Sequence, residues 1–104
     1  MNLKGSLSTL ILQILSYDIS HGYDIAGRIK RQSEGVLDFK DGTLYPTLHL
    51  LERDGFLTSE EMTENGRVRR YYKITEKGLK ELATQKNTWQ KMSGAINTIL
   101  EGAR

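Results

Sequence analysis

A chain of 104 residues with 38% hydrophobic and 27% charged side chains is sized for one compact domain and an appendage, with little spare core. Its net charge of +2 is too small to identify a partner, so the distribution of charge has to carry that argument. The absence of cysteine excludes disulfides, thiolate metal sites and cysteine nucleophiles, and permits a reducing cytoplasm.

Leu7, Leu10, Ile11, Ile14 and Leu15 follow the spacing of an amphipathic helix, for which Ser6 is the expected cap. This apolar run is interrupted by Ser8, Thr9 and Gln13 and is too short to cross a bilayer; with no basic leader and cleavage site before it, a soluble cytoplasmic protein without membrane association is expected. After a break over Ser16–Ser20, a second helix is expected over roughly His21–Arg31. It would turn Tyr23, Ile25, Ala26 and Ile29 inward and Arg28, Lys30 and Arg31 outward, with Gly35 ending the region.

The stretch from Asp41 to Gly55 is the most informative. Asp41 or Thr43 is expected to cap a helix, with Pro46 in or near its first turn and Gly55 as its stop. Leu44, Leu48 and Leu51 form the core stripe, while Thr43, Tyr45, Thr47 and His49 fall mainly off it. A short capped helix with hydroxyls and an imidazole near its leading end suits a groove-reading helix, which makes double-stranded DNA the first partner to consider.

After Gly55 the period changes to that of strands, expected over Phe56–Glu61 and Val68–Thr75. Asn65-Gly66 between them is a strong hairpin-turn signal. Arg67, Arg69, Arg70 and Lys73 place four cations within seven residues, which suits phosphate or minor-groove contact by a hairpin wing. Val68, Arg70, Tyr72 and Ile74 share one strand face, and Tyr72 fits the core better than a contact.

Thr75-Glu76 then caps a long helix running towards Glu101. Leu79, Leu82, Trp89, Met92, Ile96, Ile99 and Leu100 lie along one broad stripe, with Lys86 and Ser93 at its flanks. The far half of such a helix has nothing in its own chain to cover it, so a second subunit is expected to do so. The resulting fold class is mainly α with a small β-hairpin: a winged helix-turn-helix over residues 1–75 and a dimerisation helix over residues 76–104. His21-Gly22-Tyr23 forms the entry to the second helix, structural with a DNA-facing edge. Trp89 anchors the dimer core on one reading. On another, Trp89, Met92, Ser93 and Ile96 of two crossing helices hold a flat aromatic effector.

Catalysis has little support. His21 and His49 have no evident nucleophile partner, and there is no phosphate-cradling glycine loop or zinc signature, so no catalytic residue, metal or cofactor is expected.

Taken together and in order, several short motifs resemble the PadR family of bacterial transcriptional regulators. They are His21-Gly22-Tyr23, Gly42-Thr43-Leu44-Tyr45-Pro46 with Leu48, Leu51 and Glu52 behind it, Gly66-Arg67 with Arg70-Tyr71-Tyr72, and Thr75-Glu76-Gly78. The resemblance covers nearly the whole chain and implies a winged-helix dimer that represses genes for detoxification, efflux or stress responses, with effector release in some members. The single C-terminal helix is similar to the short subgroup, and Trp89 matches a tryptophan of its drug-sensing members. Leu50 stands where many members carry arginine, and Thr47 where alanine is commoner. The expected DNA-contacting residues are Thr43, Tyr45, Pro46, Thr47, His49, His21, Tyr23, Arg67, Arg69, Arg70 and Lys73. Two other readings remain: a winged-helix protein-interaction module, and a small-molecule binding protein whose wing is incidental.

Overall fold

In the computed structural model, which describes residues 3–102, the chain runs α1 (Leu3–Leu15), β1 (Ser20–His21), α2 (Gly22–Gln32), α3 (Asp41–Arg53), β2 (Leu57–Glu64), β3 (Arg67–Ile74) and α4 (Glu76–Leu100). Leu7, Ile11, Leu12, Ile14 and Leu15 of α1 meet Ile25 and Ile29 of α2, Leu44, Leu48 and Leu51 of α3, Leu57, Tyr72 and Leu82 in one core. Three helices thus close over one face of a small sheet, and the sheet's far end projects as a wing.

The sheet has three antiparallel strands in the order β1-β3-β2 rather than the two of a simple hairpin. Ser20 and His21 pair with Tyr72 and Tyr71, so the segment expected to be a mere break fastens the entry of α2 to the wing. At the tip, Glu64 pairs with Arg67 across Asn65 (φ 51°) and Gly66 (φ 76°). Two successive left-handed residues are what a tight hairpin turn requires. The strands extend nearer this tip than their periodicity predicted.

Several boundaries are corrected. Ser6 does not cap α1, which is already helical from Leu3. Neither Asp41 nor Thr43 caps α3: Lys40 holds that position in extended backbone without a side-chain bond to the helix N–H groups, and its carbonyl accepts from the Thr43 and Leu44 N–H groups. Pro46 lies in the second turn of α3, just past the first, so the Gly42 carbonyl lacks its usual i+4 donor. Gly55 (φ 83°) ends α3 as expected, with Gly55 N–H donating to the Glu52 carbonyl and Phe56 N–H to that of Leu51, the paired bonds of a Schellman stop.

α4 is bonded into this body at its start. Thr75 Oγ1 accepts from Gly78 N–H at 2.9 Å and donates to the Gly55 carbonyl at 2.7 Å, while Lys77 Nζ donates to the Asp54 carbonyl at 2.8 Å. Leu82, expected on the dimerisation stripe, is instead buried in the chain's own core because it lies on the part of α4 that packs on the body. Thr9 Oγ1 donates to Gln85 Oε1 at 2.7 Å; beyond that point the side chains of α4 are largely exposed. At 25 residues the helix is about 37 Å long, well beyond the core it starts on.

Candidate nucleic-acid interface

With Leu44, Leu48 and Leu51 fixed inward, helical geometry turns Gly42, Tyr45, Pro46, His49, Leu50 and Arg53 outward along α3, and all six are exposed. Thr43 and Thr47 sit at the margin of this face, half-buried, and the Thr47 hydroxyl donates to the Thr43 carbonyl at 2.9 Å. That hydroxyl is turned back on its own helix. Leu50, which stands where many family members carry arginine, and Arg53 both belong to the outward face.

Tyr45 leaves α3 on the side of α2, and its ring lies against Gly22, the first residue of that helix. His21 caps α2: the Asp24 N–H donates to its Nδ1 at 3.2 Å. Its Nε2 lies 2.7 Å from Arg69 Nη1. A neutral imidazole has one ring lone pair for these two donors, so it satisfies Asp24 or Arg69 but not both. An anion that draws Arg69 away leaves the ring free to cap the helix. The edge of Tyr71 meets the same imidazole at 5.4 Å. Tyr23, expected to turn inward, faces solvent. At 80% exposure it belongs to no core, and it stands beside the His21 ring.

These elements surround a cleft of about 600 Å³ lined by His21, Gly22, Tyr23, Tyr45 and residues 67–70 of β3. One edge is the N-terminus of α2, where free backbone N–H groups favour anions; the other is the basic strand. The wing is less uniformly basic than its cation cluster suggests, because β2 brings Glu60, Glu61 and Glu64 opposite. Arg70 donates to Glu61 Oε1 at 3.1 Å and to Ser59 Oγ at 3.0 Å. Ser59 in turn donates to Glu52 Oε2 at 2.5 Å, linking the wing arginine to the back of α3. Arg67 and Lys73 are exposed and make no ion pair among the described residues. Tyr71 donates to Glu64 Oε2 at 2.6 Å, and this bond holds its phenol above the usual ionisation range. Tyr72 is buried, as expected, and burial pushes its phenol above the usual ionisation range too.

A recognition-type helix, an anion-favouring helix start and a cation-bearing wing meet around one cleft, the parts a nucleic-acid interface would need. Residues 11–84 match the family model described as the transcriptional regulator PadR-like family. The chain belongs to the PadR-like family. It is 44% identical over 76 residues to the transcriptional regulator Rv3488 of Mycobacterium tuberculosis, covering 73% of this chain and 68% of that one. It is 31% identical over 99 residues to the Escherichia coli transcriptional regulator YqjI, of which it spans 46%. A solved transcriptional regulator from Clostridium thermocellum superposes with a TM-score of 0.86 at 30% identity, over 92% of this chain and 94% of the other. A PadR family regulator from Eggerthella lenta gives 0.82 at 28%, over 96% and 87%.

As a PadR-like protein this is a transcriptional regulator, of a class that acts by binding DNA. The cleft gathers His21, Tyr23, Tyr45, Arg67, Arg69 and Arg70 of the expected contact set. Pro46 and His49 lie on the outward face of α3 instead, Thr43 and Thr47 at its margin, and Lys73 further down β3. Gly22 lies in the motif expected to carry a DNA-facing edge, whereas Leu50 and Arg53 and the Glu52–Ser59–Arg70 link join this surface without a sequence signal. On α4, Trp89, Met92 and Ile96 are exposed along one stripe with Ser93 half-buried beside them, and Ile99 and Leu100 exceed 70% exposure. Among the described residues no helix is long and apolar enough to cross a membrane, and no group of three metal-ligating side chains occurs.

Proposed function

We propose that this PadR-like chain is a sequence-specific repressor that works as a homodimer. The observation that carries the reading is the cleft in which Tyr45 of α3, the capped start of α2 and the arginines of β3 converge. On this account α3 enters a major groove, with Tyr45, Pro46 and His49 nearest the bases. His21, Arg67, Arg69, Arg70 and Lys73 hold flanking phosphate, which fixes position but carries no sequence information. Residues 1–75 act as the DNA-binding unit and residues 76–104 as the dimerisation helix.

Support for the dimer is the exposed stripe of Leu79, Trp89, Met92, Ile96, Ile99 and Leu100, apolar side chains that a second copy of the helix would cover. A flat aromatic effector would lodge between two such helices beside Trp89 and act by preferring one dimer geometry over the other. Footprinting on duplexes enriched from a random pool tests the account. Two protected half-sites about 34–36 Å apart, or a multiple, with pseudo-palindromic sequence are expected. A single unrepeated footprint would remove the dimer, and failure to enrich any duplex would favour a protein-interaction module.

A further inference from the structure

Resting on the DNA reading above, we propose that Pro46 and Leu50 form an apolar ridge on α3 that selects operators by contact with thymine methyl groups. The two residues are four apart on one helix, so they stand one above the other about 6 Å along its axis. Both face solvent, and Leu50 is 49% exposed although Leu44, Leu48 and Leu51 of the same helix are all buried. The polar groups expected to do the reading are partly engaged elsewhere. Thr47 bonds its own helix at the Thr43 carbonyl, and Tyr45 leans towards Gly22 and the cleft. The centre of the outward face is therefore Pro46, His49 and Leu50.

An aliphatic side chain has one favourable target on a major-groove base edge, the C5-methyl of thymine. Placed against a cytosine amine or a guanine carbonyl, the same side chain strips water from a polar group and returns no hydrogen bond. Leu50 thus acts in two directions, attracting one base and penalising the others. Pro46 extends the ridge, and having no N–H it offers the groove only its ring.

The test takes the full chain and the duplex it enriches most strongly from a random pool. Each thymine in a half-site is replaced in turn by deoxyuridine, which removes the methyl and leaves base pairing unchanged. The wild-type protein is expected to lose about three- to fivefold in affinity at one or two positions, the worth of one buried methyl. Leu50→Ala, at an exposed site where folding is undisturbed, is expected to bind the thymine duplex more weakly and to distinguish thymine from deoxyuridine by less than twofold at one of them. Indifference of the wild type to every replacement overturns the proposal. So does a Leu50→Ala protein that keeps the wild-type discrimination. Failure to enrich any duplex would instead sink the DNA reading on which the proposal rests.

Discussion

Gly22 lies so close to Tyr45 that a Cβ in its place would sit 2.8 Å from the ring's Cε1 and 2.9 Å from its hydroxyl oxygen. The start of α2 must be bare for the tyrosine of α3 to hold its place at the cleft. Gly22→Ala is therefore expected to push the ring aside while the helix, which prefers alanine to glycine, keeps its stability. Thermal unfolding should move by no more than a few degrees, and duplex affinity should fall about tenfold, the loss of one hydrogen bond. A parallel collapse of stability and binding would mean that the contact only packs.

A second glycine gives the opposite signature. A Cβ at Gly78 would overlap the Phe56 carbonyl oxygen and lie 2.7 Å from Ile74 Cγ1. That carbonyl cannot retreat freely because it accepts the Thr75 N–H at 3.0 Å. Gly78→Ala is expected to cost about 3 kcal/mol in denaturant unfolding. Gly94→Ala on the same helix meets nothing within 4 Å and should stabilise by about 0.5–1 kcal/mol. Equal effects at the two sites would contradict the close approach of α4 to the α3–β2 turn.

The parts of the fold that were readable are those set by local chemistry. Asn65-Gly66, Gly55 and Thr75 each impose a backbone conformation on their own neighbours, and each is found doing so. β1 escaped because two paired residues leave no period to detect; its partner lies in β3, far along the chain. Tyr23 was placed inward by counting from Ile25 and Ile29, yet at the second position of α2 it projects past the end of the core. In the candidate site the residue types were legible and their pairings were not. That Glu61 faces Arg70 depends on strand register, and that Gly22 admits Tyr45 depends on how two helices cross.

The acidic strand opposite the arginines makes the wing adjustable. Arg67 is without an ion pair among the described residues, so Arg67→Ala should weaken binding to all duplexes alike and reduce the slope of log affinity against log salt by about one. Arg70 is shared with Glu61, and Glu61→Gln should release it and tighten binding by up to about fivefold, the range of an exposed pair. Weaker binding by Glu61→Gln would show that the pair positions Arg70 for DNA rather than withholding it.

Tyr71 carries a prediction in alkaline solution. Its bond to Glu64 holds the phenol protonated above the ordinary value of 10.0. The folded chain thus keeps that proton more tightly than the unfolded one. The stabilisation is complete below the unfolded value and is lost as pH rises through the folded one. Glu64→Ala, which removes the acceptor, should bring one tyrosine's absorbance transition back towards 10.0 and leave Tyr72, raised chiefly by burial, titrating late. An unchanged titration would show that the Glu64 bond does not form in solution.

The most direct measurement is a fluorescence-anisotropy titration of the full chain against the duplex immediately upstream of its own coding sequence, with an unrelated duplex of equal length as control, at low and physiological salt. A sequence-specific regulator should bind the upstream duplex more tightly and keep that preference when salt weakens both, because base contacts outlast phosphate attraction. Equal binding to the two duplexes that vanishes together at physiological salt would contradict operator recognition at this locus and leave the wing's charge as the whole of the interaction.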